Sequence, residues 1–113
     1  MGFSGCGAAQ FAGAYYVNRP SPNKVGGTGQ GVVQPVLQFK SGLARYFKAG
    51  GAGVNRWGDY SATFLDPSDG LIWTIQEYAR TNVGTTGDYG RWGTWLAKFN
   101  ATIPVKMSVY QFE

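Results

Sequence analysis

Apolar and aromatic residues fall on every second position in six separate stretches of this 113-residue chain, the spacing of strands with one buried face. In the first, Phe11 to Arg19, one face carries Phe11, Tyr15 and Val17. In the second, Val33, Leu37 and Phe39 share a side, and Pro35 places that strand at a sheet edge because proline cannot donate to a ladder. The third, Tyr60 to Asp66, alternates Tyr60, Ala62 and Phe64 with Ser61, Thr63 and Leu65. The fourth, Leu71 to Ala79, sets Leu71, Trp73 and Ile75 on one face and then puts Glu77 on that same face. The fifth, Trp92 to Phe99, opposes Trp95, Ala97 and Phe99 to Lys98, and the sixth alternates Ile103, Val105, Met107 and Val109 with Lys106, Ser108 and Tyr110.

Turn chemistry separates these stretches. In Asp66-Pro67-Ser68-Asp69-Gly70 the proline fixes one φ and the glycine supplies a positive one, which joins the third and fourth strands as a hairpin. Segments 20–31 and 81–90, rich in Gly, Thr and Asn, read as surface loops, and Gly50 to Gly53 forms a third loose stretch. Eighteen glycines and eighteen aromatic residues, with charged residues at only 14%, agree with short strands and tight turns. The fold class predicted is all-β. A chain of this length makes at most one domain and buries somewhat over ~60% of its unfolded surface.

The sequence contains no histidine and one cysteine, Cys6, so internal disulfides, zinc and copper sites, and every Ser-His-Asp or Cys-His arrangement are excluded. No metal or cofactor is expected. The net charge of +4 is spread from Arg19 to Lys106 without a basic run that would track a phosphate backbone, so nucleic acid is not expected as a partner. Nor is a membrane span, because no stretch approaches the roughly 18 apolar residues that one needs. Met1 to Ala9 lack the basic start and long apolar run of a signal peptide, so no export signal is expected within this chain.

The run from Asn55 through Trp57-Gly58-Asp59-Tyr60 to Ala62, followed by Asp66-Pro67, Trp73 to Ala79 and Trp92-Gly93-Thr94-Trp95, resembles the C-terminal part of exported bacterial β-propeller proteins of the sialidase-like superfamily. Gly2 to Gly5 and Gln10 to Tyr16 resemble the part before it, so the similarity covers residues 2 to about 99. The resemblance implies four-stranded antiparallel blades, with the strand near Tyr60 innermost and Arg56 and Asp59 near a channel mouth. Propeller repeats run about 40 to 50 residues and stack four to eight to a ring, so this chain holds about two, spanning 2–49 and 50–113. A small sandwich or barrel is the alternative. The repeat that marks sialidases, Ser-x-Asp-x-Gly-x-Thr-Trp, is half present: Gly70 and Trp73 stand, with Asp66 and Ser68 in place of Ser and Asp. For the parent protein the resemblance implies an extracellular or cell-surface location.

Glycoside hydrolysis needs two carboxylates at a set separation, and Asp59 with Glu77 is the one pair worth naming, since Asp66 and Asp69 belong to a turn. Sialidases also use an arginine cluster and a tyrosine nucleophile drawn from several blades, which two blades do not supply. No residue is therefore assigned a catalytic role. Two readings of Arg56 and Asp59 stand open, a positioning fork or a ligand contact. Glu77, if buried, is expected to pair with Arg56, Arg80 or Arg91. Trp57, Tyr60, Trp92 and Trp95 serve either as core packing or as a platform on which pyranose rings stack while neighbouring polar groups bond the hydroxyls. The ligand-binding candidates are thus Arg56, Trp57, Asp59, Tyr60, Glu77, Trp92 and Trp95, for a non-catalytic propeller-derived module that binds a glycan or other cell-surface ligand. A remnant of a glycoside hydrolase, active only in its full-length parent, is the alternative. Apolar residues on both faces of several strands further predict a homo-oligomer or a fragment of a larger propeller.

Overall fold

Strands β1 (Gly2–Gly7), β2 (Gln10–Tyr16) and β3 (Leu37–Lys40) form one antiparallel sheet in the order β1-β2-β3. Strands β4 (Ala62–Leu65), β5 (Ile72–Ala79), β6 (Trp92–Phe99) and β7 (Ser108–Tyr110) form a second in the order β4-β5-β6-β7. The computed structural model describes residues 1–19, 32–48, 55–83, 90–100 and the backbone of 108–110. All the regular elements among them are strands, and no helix there is long and apolar enough to cross a membrane. The all-β class follows. The stretches predicted as loops at 20–31 and 50–53, most of 81–90, and the part of the sixth strand over 103–107 lie outside the described residues.

Two features of the first sheet depart from the sequence reading. Strand β1 was not predicted, because Gly-Phe-Ser-Gly-Cys-Gly has no alternation to detect, and its pairing with β2 carries a bulge between Gly5 and Gly7. The second is strand number. In place of two four-stranded units, the described residues give a three-stranded sheet and one whose fourth strand is three residues long. The first sheet stops at β3 because the chain then leaves it: the Leu43 amide donates to the Ala79 carbonyl of β5, 2.8 Å away. Proline 35 does its expected work, since β3 lies at the sheet edge and begins only at Leu37.

The Asp66–Gly70 turn closes the β4–β5 hairpin with Leu65 opposite Ile72, and Gly70 takes a φ of 71°. Asp66 organises it. Its Oδ1 accepts from the Ser68 amide at 3.0 Å and the Ser68 hydroxyl at 2.6 Å, and its Oδ2 accepts from the Trp73 indole at 3.1 Å and Lys98 at 3.3 Å. The Ser68 hydroxyl and the Trp73 indole, above all, hold the Asp66 carboxyl well below the usual carboxylate range. Lys98 also bonds Asp69, which raises its own pKa, and its ammonium lies 4.7 Å above the Trp73 ring.

The sheets meet face to face, with β1 and β2 packed on β5. Tyr16 stacks on Phe99 with centroids 4.2 Å apart, and Ala14, Phe39 and Ala97 complete a core against which Ile72 and Trp95 pack. On β2 the core face is therefore Ala14 and Tyr16, opposite to the predicted Phe11, Tyr15 and Val17. Phe11 is half-exposed, and Tyr15 is buried instead by stacking on Phe3, its hydroxyl accepting from Gln38. The predicted face of β5 is likewise inverted. Thr74, Gln76 and Tyr78 point at the first sheet and are buried, while Trp73, Ile75 and Glu77 are only partly covered on the other side.

That inversion is possible because the polar side chains are satisfied. The Gly2 amide donates to Thr63 Oγ1 (3.1 Å), Thr63 Oγ1 lies 3.0 Å from Thr74 Oγ1, and Thr74 Oγ1 donates to the Ala62 carbonyl (3.2 Å) while accepting from Gln76 Nε2 (3.1 Å). With the Thr74 proton spent on Ala62, Thr63 is the donor to Thr74, and every hydroxyl in the chain of bonds has a partner. Gly2 makes room for this: a Cβ there would stand 2.5 Å from Gln76 Nε2 and closer still to Thr74 Oγ1, inside van der Waals contact.

Two substitutions separate polar satisfaction from packing. Thr74→Val keeps the shape but strands the Thr63 hydroxyl and the Gln76 amide, and is expected to lower unfolding free energy by about 1–3 kcal/mol in denaturant titrations. Tyr16→Phe acts in the opposite sense, because the buried Tyr16 hydroxyl has no partner among the described residues. Keeping the ring stack and deleting that hydroxyl is expected to leave stability unchanged or raise it by about 1 kcal/mol, measured in the same way.

Candidate functional site

Segments 41–48 and 55–60 close over one end of the outer face of the second sheet, where β5 and β6 bring Glu77 and Trp92. Register sets their placement: Glu77 faces Thr94 and Ala79 faces Trp92, so Glu77 and Trp92 share a face two positions apart. Asn55 ties the two segments together, its Oδ1 accepting from the Lys48 amide at 2.7 Å and its Nδ2 donating to the Tyr46 carbonyl at 3.4 Å. This brings the Tyr46 ring edge-on to Trp57, with centroids 4.7 Å apart. Gly58 follows with a φ of 55°, a value that side-chain-bearing residues rarely adopt, and the chain turns there so that its N–H faces the Glu77 carboxylate.

The result is an open cavity of about 510 Å³ lined by Arg56, Trp57, Asp59, Tyr60, Glu77 and Trp92, together with Gly58, Tyr46 and Lys48. Six of the seven sequence candidates therefore converge on one site. Trp95 lies apart: it packs on the core, edge-on to Tyr78 at 5.8 Å, with the Lys40 ammonium 3.8 Å above its ring. Tyr46 and Lys48 were not among the candidates. Their signal is the basic–aromatic run Arg45-Tyr46-Phe47-Lys48, which has the same character as Arg56-Trp57 but stands in a segment without strand periodicity.

Arg56 and Asp59 form an ion pair, as one of the two sequence readings expects. Their side chains are 72% and 54% exposed, so the pair contributes only about 0–1 kcal/mol to stability. Glu77 departs from expectation. No described Arg or Lys lies within ion-pair distance of it: Arg56 is taken by Asp59, and Arg91 donates to the Thr81 carbonyl at 3.2 Å. Burial pushes the Glu77 carboxyl above its ordinary value, the Gly58 N–H pulls it back, and the neighbouring Asp59 charge pushes it further up.

Chemically, the site offers ring faces from Trp57, Trp92, Tyr46 and Tyr60, acceptors from two carboxylates and donors from Lys48 and Arg56. Trp92 is 49% and Tyr60 87% exposed, which leaves both rings open to a ligand. No family model, curated protein or solved structure matches the chain.

Because the folded chain favours protonated Glu77, that group contributes most to stability below its unfolded value of 4.5, and the contribution is lost as pH rises through the raised folded value. Glu77→Gln, which cannot ionise, is thus expected to melt at a higher temperature than the parent at pH 7. The difference should vanish below about pH 4, as read by circular dichroism melts across the range.

Proposed function

We propose that the chain is a non-catalytic binding module that takes a glycan in the Trp57–Trp92 cavity. The observation that carries this reading is the convergence of exposed aromatic rings with Glu77, Asp59, Arg56 and Lys48 around a single open space. Sugars present apolar C–H faces that stack on rings and hydroxyls that both donate and accept. A cavity of about 510 Å³ matches one or two pyranose units rather than a protein surface. On the same reading the two packed antiparallel sheets are blade-like units of an exported sialidase-like propeller, and β4, with its four exposed side chains at the sheet edge, is the innermost strand. Further blades, from second copies or from a longer parent, would stack on the uncovered face where Phe64 is 53% exposed.

A hydrolytic parent is the second reading, favoured by one observation: Glu77 is pushed towards its acid form beside the Asp59 carboxylate, the asymmetry that a general acid and its partner require. The Arg56 guanidinium on Asp59 and the lack of further acidic groups in the cavity lining leave the binding reading ahead.

Titration of tryptophan fluorescence with a panel of soluble polysaccharides tests the proposal. At least one is expected to shift the emission, and Trp57→Ala is expected to weaken that binding ~10-fold or more. Trp57 lies outside the core cluster, so the variant should fold, which its melting curve checks. Silence across the panel, or an unchanged affinity in Trp57→Ala and in Trp92→Ala, overturns it.

A further inference from the structure

Charge is unevenly distributed around the cavity. Asp59 is paired with Arg56. Lys48 is exposed and, like Arg56, beyond ion-pair distance of Glu77, while the Asp59 carboxylate nearby pushes the Glu77 carboxyl up. Glu77 is also held in place, since the Gly58 N–H faces its carboxylate and its own backbone carbonyl accepts from Ser4 Oγ of the first sheet at 2.9 Å. A positioned, partly desolvated carboxylate, with no described Lys or Arg within ion-pair distance, thus stands in a cavity walled by the Tyr46, Trp57 and Trp92 rings.

We propose that this cavity accepts an ammonium group, with Glu77 as its counter-charge and the rings of Tyr46, Trp57 and Trp92 against its carbon substituents. Two physical terms favour a cation over a hydroxyl there. An ion-assisted hydrogen bond is roughly twice as strong as a neutral one, and the ring faces carry negative quadrupole charge that attracts cations. A bound cation also offsets the burial and the Asp59 charge that push the Glu77 carboxyl towards its neutral form. The inference rests on the glycan reading only for the carrier of the charge: within it, the ligand is an amino sugar with a free amine rather than a neutral or N-acetylated one.

The charged groups that face Glu77 are Asp59 and Arg56 from the segment before β4 and Lys48 from the segment after β3, with the phenols of Tyr46 and Tyr60 lining the same space. Protonating Glu77 removes the counter-charge, so affinity for a permanent cation is expected to rise with pH as Glu77 ionises.

Fluorescence titration of the whole chain with a glucosamine oligomer, its N-acetylated counterpart, a neutral glucose oligomer and tetramethylammonium separates the possibilities. The free-amine oligomer is expected to bind at least about tenfold tighter than the N-acetylated one at pH 6, and Glu77→Gln should abolish that preference while still melting cooperatively. Tetramethylammonium, which does not titrate, should bind more tightly at pH 7 than at pH 4 in the parent and equally in Glu77→Gln. Measurable binding of the amine and N-acetyl forms with equal affinity, a preference that survives Glu77→Gln, or no response to any cation overturns the inference. If neutral sugars bind as well as amines, the glycan reading stands and this one falls. Glu77-dependent binding of tetramethylammonium without any sugar response reverses that outcome.

Discussion

The run of hydrogen bonds from Gly2 through Thr63 and Thr74 to Ala62, with Gln76 feeding in from the side, decides which face of β5 meets the first sheet. Without it, burying Thr74 and Gln76 would leave unpaired polar groups at a cost of a few kcal/mol, and the apolar Trp73–Ile75 face would be the natural one to cover. With it, the polar face turns inward. Trp73, Ile75 and Glu77 are then directed outward, and Glu77 reaches the end of the sheet where segments 41–48 and 55–60 cross. The cavity exists because the sheet packs with its polar side in.

The two halves of the structure use charge differently. At the Asp66 turn every charge has a partner: Ser68, Trp73 and Lys98 converge on Asp66, and Lys98 also reaches Asp69. Near the far end of the strand that follows, Glu77 has the Gly58 amide and the like charge of Asp59, and no described Lys or Arg within ion-pair distance. Structural carboxylates are stabilised in their ionised form, whereas functional ones are often held against their preference. The contrast between Asp66 and Glu77 follows that division over eleven positions of sequence, from the turn that precedes β5 to the far end of that strand.

Strand existence was legible in the alternation, and face assignment was not. The hairpin at Asp66–Gly70, the edge position of β3 and the inward Ala97 and Phe99 follow directly from turn chemistry, Pro35 and period two. On β2 and β5 the sequence offers two credible faces, Phe11/Tyr15/Val17 against Ala14/Tyr16 and Trp73/Ile75 against Thr74/Gln76, and hydrophobicity alone selects the wrong one. The deciding information is tertiary: a stacked ring from β6 for Tyr16, and a glycine from β1 with a threonine from β4 for Thr74. Strand β1 was hidden for a related reason, since glycines chosen for close approach erase the pattern that marks a strand. The site residues were found by their chemistry, aromatic beside charged, which is why Trp95 joined them in sequence although it packs elsewhere in space.

The bonds that join the sheets close long stretches of chain: Gly2 to Thr63 spans 61 residues and Ser4 to Glu77 spans 73. Each hairpin, by contrast, is local, and the Asp66 turn closes over a handful of residues. Contact separation therefore favours hairpin formation before docking, since loop-closure entropy must be overcome before distant contacts give any return. Until then the face of β5 destined for the interior is the one bearing Thr74 and Gln76, which water solvates well. An undocked β4–β5–β6 sheet thus presents a mixed surface, the hydroxyl and amide of Thr74 and Gln76 beside the apolar Ala97 and Phe99 of β6, and the side chains that water solvates before docking are the ones that lock the sheets together after it.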